Sequence, residues 1–108
     1  METVMVYVTC ADREEARRIG QELVRARLAA CVNVFPGVES FFHWEGNLEQ
    51  AAETVMVAKT IRAKVPEVVA AIRARHSYSV PAILVLPVID GNPAFISWVV
   101  DEVGGCDR

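Results

Sequence analysis

The stretch "CVNVFPGVESFFHWEGNLEQAAETVMVAKT" (residues 31–60) decides the fold. It is rich in β-branched and aromatic residues and is broken at Pro36-Gly37, which reads as a bulge or bend. Beyond that break Val38, Ser40, Phe42 and Trp44 share one face, while Glu39, Phe41, His43 and Glu45 share the other. Glu45-Gly46-Asn47 is a tight turn. After it, Glu49, Ala51, Glu53, Val55, Val57 and Lys59 alternate with Gln50, Ala52, Thr54, Met56, Ala58 and Thr60. The stretch is therefore a long β-hairpin.

Working outward, "TVMVYVTC" (3–10) reads as a strand buried on both faces. Asp12 and Glu15 then open a helix, both carboxylates lying near its positive end. Its apolar stripe is Ala16, Ile19, Gly20, Leu23 and Val24, and it is expected to end near Leu28. A second helix starts around Pro66 and carries Val65, Val68, Val69, Ile72 and His76 on one stripe. "AILVLPVI" (82–89) is a fourth strand. Asn92-Pro93 caps a last helix bearing Phe95, Trp98, Val99 and Val103, which stops at Gly104-Gly105.

The order β-α-β-β-α-β plus a C-terminal helix is the split βαβ, ferredoxin-like arrangement of an α+β protein with an antiparallel sheet. Its edge strands are the second and fourth, where proline is tolerated, and the strand prolines are Pro36 and Pro87. A chain of 108 residues suits one domain, residues 1–108, and 53% hydrophobic residues supply a packed core. A net charge of -3 excludes a basic nucleic-acid platform. No apolar run reaches the ~20 residues that a membrane-spanning helix needs. Glu2 stands where a signal peptide would carry a basic residue, and Cys10, Cys31 and Cys106 are odd in number and widely spaced. Both features point to a reducing cytoplasm.

The hairpin arms, about twelve to fourteen residues, exceed the usual ~5–6, so roughly five residues should overhang the sheet by ~17 Å. Phe41, Phe42, His43 and Trp44 lie in that overhang, and a second copy of the chain is the expected cover for them. The alternative is that the last helix folds back over them through Phe95 and Trp98. Periodicity does not choose between dimer and trimer.

"RLAACVNVFPGVESFFHWEGNLEQAAE" (27–53), "VAKT" (57–60) and "HSYSVPAILVLPVIDGNPAFISWV" (76–99) together resemble the CutA family of divalent-cation tolerance proteins. The resemblance runs from about Val4 to Val100, with "WEG" beginning thirteen residues after Cys31. It implies a tight homotrimer resembling the PII-type signalling proteins and associated with copper or another divalent metal. Where the family commonly reads H-P-Y-E-V-P-E, this chain has His76-Ser77-Tyr78-Ser79-Val80-Pro81-Ala82, lacking both carboxylates.

For metal, no close-set ligand motif occurs, and Cys10 with His76 is the candidate pair, of thiolate and imidazole chemistry suited to Cu(I) or Zn(II). The plainer reading packs Cys10 in the core and uses His76 to close its helix. Cys31 reads as a packed hydrophobe, Cys106 as an exposed thiol, and His43 as a cross-strand partner for Glu49 or Glu53. Trp44, Lys59 and Tyr78 are candidates for an inter-subunit cleft taking a small anionic ligand, as a PII-like regulatory module would, or a partner protein. No phosphate loop or nucleophile motif is present. Acylphosphatases share the topology, but fold alone does not confer their activity.

Overall fold

A computed structural model describes residues 2–104. Strand β1 (Thr3–Cys10) leads to helix α1 (Arg13–Arg25), then to β2 (Cys31–Trp44) and β3 (Asn47–Ile61). Helix α2 (Val65–Arg75), β4 (Ile83–Pro87) and helix α3 (Pro93–Val103) complete the chain. The sheet is antiparallel with order β2-β3-β1-β4, so the expected α+β arrangement and its edge strands are present.

One face of the sheet is covered by α1 and α2. Val6, Val8 and Cys10 from β1 and Met56 and Ala58 from β3 pack against Ile19, Leu23, Val68 and Ile72, all fully or almost fully buried. The opposite face differs from expectation: β1 is buried on both sides only near its start. Helix α3 seals that end through Val99 and Val103 against Ala30 and Ile61. Further along, the row Leu84–Tyr7–Val57–Asn33 crosses the sheet uncovered, with Tyr7 36% and Leu84 60% exposed. An eleven-residue helix at ~1.5 Å per residue is too short to screen the whole face.

Helix α1 stops earlier than its apolar stripe suggests. Arg27 turns left-handed (φ 59°), and the N–H groups of Arg27 and Leu28 donate to the carbonyls of Val24 and Leu23. This is a Schellman closure built without glycine. Leu28 lies beyond it, packed against the core. Strand β4 is also shorter than expected, five residues rather than eight, ending at Pro87.

The hairpin is longer than the overhang argument required. Eight of the fifteen residues of β3 pair with β1, and the other seven, Asn47–Glu53, extend past it, about 24 Å at ~3.4 Å per residue. Between the pairs Phe35–Val55 and Val38–Glu53, β2 carries one extra residue at Pro36-Gly37, with Gly37 at φ 81°. Because of this bulge Val38, Ser40, Phe42 and Trp44 lie on the same face as Phe35, the uncovered one. The tip is a two-residue turn with positive φ at both Glu45 (51°) and Gly46 (85°), the type I′ geometry that matches strand twist.

Glutamate is a poor choice for that conformation and glycine a good one. Glu45→Asn should therefore raise the thermal midpoint, and Gly46→Ala should lower stability by about 1–2 kcal/mol. Both are measured by calorimetric melting at one protein concentration.

Candidate functional site

The Asp12/Glu15 start signal does more than open α1. Asp12 caps the helix, its Oδ1 accepting the Glu15 N–H at 2.9 Å. The Glu15 carboxylate does not return to the capping residue. It accepts from Ala11 N–H at 2.9 Å through Oε2 and from Ser77 N–H at 2.8 Å through Oε1. A buried acid thus ties the end of β1 to the connector that follows α2.

His76 makes the second tie. Its Nδ1 accepts from the Tyr78 N–H at 3.1 Å, and its Nε2 lies 2.8 Å from the Thr9 carbonyl. An N–H can only donate and a carbonyl can only accept, so the ring proton sits on Nε2. The Thr9 N–H donates to the Ala82 carbonyl at 3.2 Å, fastening the far end of the connector. Residues 77–82 are therefore held against the rim of β1 by Glu15, His76 and Thr9.

Cys10 and His76 do meet, although sixty-six positions separate them in sequence. One ligand-type atom from each, together with one from Glu15, lies within 4.8 Å of the other two. The donor set nevertheless does not fit a preformed metal site. Both imidazole nitrogens and both carboxylate oxygens already have backbone partners. The Cys10 thiol is pushed up to about 12, by burial and then by the nearby Glu15, Asp12 and Glu53 charges, whereas a metal needs the thiolate. Glu15 was visible in the sequence only as a helix-start residue; its reach to Ser77 depends on tertiary placement.

On the open face the overhanging ribbon and the connector enclose a cleft of about 760 Å³. Phe41, Phe42 and Trp44 line it with Tyr78, Glu49 and Glu53. The Tyr78 hydroxyl donates to Glu53 Oε2 at 2.6 Å, and burial, followed by that carboxylate, pushes the phenol pKa up, so the proton stays on tyrosine. Trp44 and Tyr78 thus line one cavity within a single chain. Lys59 does not join them: its Nζ sits 5.5 Å from the centroid of the Phe95 ring, near α3. His43 pairs with Leu48 across the hairpin, and the acid near it, Glu49, faces Phe42. Helix α3 does not cover the aromatics; Phe41 remains 63%, Phe42 42% and Trp44 59% exposed. Cys31 is partly buried opposite Lys59, and Cys106 lies outside the described residues.

A family model described as CutA1 divalent ion tolerance protein matches residues 4–102. The chain belongs to that family. The divalent-cation tolerance protein CutA of Archaeoglobus fulgidus is 43% identical over 98 residues, which cover 91% of this chain and 95% of that one. A solved structure of CutA from the same organism, described as periplasmic, superimposes with a TM-score of 0.90 at 42% identity, covering 94% of this chain and 98% of that one. CutA1 of Oryza sativa superimposes with a TM-score of 0.93 at 32% identity, covering 95% and 94%. Against longer family members the match is partial. The chain spans 53% of the chloroplastic Protein CutA of Arabidopsis thaliana, to which it is 33% identical over 97 residues, 90% of this chain. Among the described residues, no helix is long and apolar enough to cross a membrane.

The Glu15 tie has a measurable pH signature. Burial alone would raise its pKa, but the Ala11 and Ser77 bonds and the His76 ring outweigh burial and lower it. A carboxyl with a depressed folded-state pKa contributes stability above its unfolded value and loses it as pH falls through the folded one. Glu15→Gln should therefore cost roughly 1–3 kcal/mol in urea unfolding at neutral pH. The difference from wild type should shrink as the pH is taken below the ordinary carboxylate range.

Proposed function

We propose that this protein acts in divalent-cation tolerance as a non-catalytic homotrimer of PII-like build, in the cytoplasm. The observation that carries the assembly is the ribbon. Seven residues of β3 and the facing part of β2 project beyond the sheet with three large aromatics exposed, and the last helix lies elsewhere. A lone two-stranded ribbon is at best marginal in water. Burying each aromatic against sister subunits contributes about 1.5–3 kcal/mol. The uncovered sheet face, with Tyr7, Leu84 and Leu86, offers a second apolar surface to the same assembly. What supports the compartment is that Cys10 and Cys31 are free thiols among the described residues.

For metal, the proposal is weak binding of copper or a similar divalent ion at Cys10 and His76. Such an ion would have to displace the Tyr78 or Thr9 partner of the imidazole and the thiol proton of Cys10. Binding is therefore coupled to loosening of residues 77–82, which limits its strength. A second reading is a PII-like regulatory module with a small anionic ligand or a partner protein at subunit clefts; what supports it is that Trp44 and Tyr78 line one cavity, although the acids Glu49 and Glu53 line it too.

Sedimentation equilibrium at micromolar concentration should give three times the chain mass. The double variant Phe41→Ser/Trp44→Ser should shift the population toward single chains; a folded wild-type monomer would defeat the assembly proposal. In a copper titration, Cys10→Ala/His76→Ala should lose the wild-type binding. Equal binding by both proteins would remove those two residues from the metal reading.

A further inference from the structure

The ribbon is least restrained where it leaves the sheet. The last pair between β3 and β1 is Thr54–Cys10, so Glu53 is the first residue of the overhang. Across the hairpin Glu53 faces Val38, the first paired residue after the bulge, where Gly37 takes φ 81°. The ladder therefore ends on one side of this point and is irregular on the other. A two-stranded ribbon about 24 Å long has little of its own to hold its direction beyond such a root.

One side chain reaches that root from the body of the subunit. The Tyr78 hydroxyl donates to Glu53 Oε2 at 2.6 Å. Among the described residues, no salt bridge and no other side-chain hydrogen bond joins residues 38–53 to the rest of the chain. The other end of Tyr78 is held by the latch: its N–H donates to His76 Nδ1 at 3.1 Å, and the two rings lie 4.9 Å apart between centroids. The adjacent Ser77 N–H donates to Glu15 Oε1 at 2.8 Å. Helix α1, the connector and the root of the ribbon are thus joined in series through one tyrosine. Both partners of this brace belong to one chain, so it does not depend on which surfaces the sister subunits cover.

We propose that the Tyr78–Glu53 bond sets the direction of the ribbon for association, and that through it the Glu15–His76 latch and the contact between subunits are thermodynamically linked. The proposal rests on the assembly reading above and adds to it the residue that orients the associating element. A ribbon already held near its bound direction loses less freedom when sister subunits close on it than one that swings about its root. The linkage is reciprocal: loosening the latch weakens association, and association steadies the connector. Tyr78 is in this sense a positioning residue, acting through Glu53.

The test is subunit exchange between isotope-labelled and unlabelled trimers, followed by native mass spectrometry. Tyr78→Phe and Glu53→Ala should each exchange roughly tenfold faster than wild type, with the far-UV circular dichroism unchanged. The double variant should be no faster than either single one, because both substitutions remove the same bond. Glu53→Gln, whose amide oxygen still accepts from the phenol, should exchange at nearly the wild-type rate. Glu15→Gln should speed exchange in the wild-type background and have no effect in Tyr78→Phe. Wild-type exchange by Tyr78→Phe, or additive effects in either double variant, would overturn the proposal. Sedimentation separates it from the reading beneath it. A wild type found as single chains removes the assembly and the linkage together, whereas a trimer indifferent to Tyr78→Phe removes the linkage alone.

Discussion

A mismatch in strand length organises this molecule. Strand β1 has eight residues, and it is the only scaffold that both β3 and β4 can pair with. The hairpin of β2 and β3 carries fourteen and fifteen residues, so its outer half cannot be satisfied by its own sheet. The bulge at Pro36-Gly37 compounds the mismatch. It inserts one residue where pairing with β1 ends, so that Phe42 and Trp44 project on the face that no helix covers. The chain's extents of 50 × 26 × 21 Å follow from that ribbon. The cleft exists because the ribbon passes the connector without touching a further strand.

The connector is fixed by a separate device. A capping acid normally closes a box on its own helix end. Glu15 instead spends its two oxygens on Ala11 and Ser77, joining the first loop to the segment after α2. His76, one residue earlier, anchors to Thr9 and receives Tyr78. Together they place the Tyr78 ring above the ribbon, within reach of Glu53. The cluster that looks like a ligand set by residue type is thus a hydrogen-bonded latch by geometry. Its contribution to function is to position one wall of the cleft.

Much of the architecture was legible in the sequence because its periodicities are clean. The alternation from Glu49 to Thr60, the stripe from Ala16 to Leu23, and the strand prolines confined to β2 and β4 all correspond to observed elements. The misses have identifiable causes. Strand β1 reads as doubly buried because Tyr7 is apolar in pattern, although α3 is too short to cover it. Helix α1 stops before Leu28 because Arg27 adopts a left-handed turn usually left to glycine. Within one chain Trp44 and Tyr78 line a common cavity, whereas the position of Lys59 along β3 puts it beside Phe95. Glu15 and Glu53 carried no signal beyond capping and alternation, since their roles arise from segments more than twenty residues away.

Departures from the family pattern at Ser79 and Ala82 bear on the cleft more than on the latch. Both residues line the cavity, and neither brings charge to it. Carboxylates at those two positions would add acids on the connector side, opposite those of the ribbon. Two facing acids within reach of one cation favour compact, chelated ions. With serine and alanine in place, the negative charge of the cavity is left on the ribbon at Glu49 and Glu53, spread along a strand instead of gathered at a point. The same substitutions leave the Ser77 and Tyr78 backbone donors in place, so the latch keeps its geometry while the wall that it holds carries no charge at those two positions.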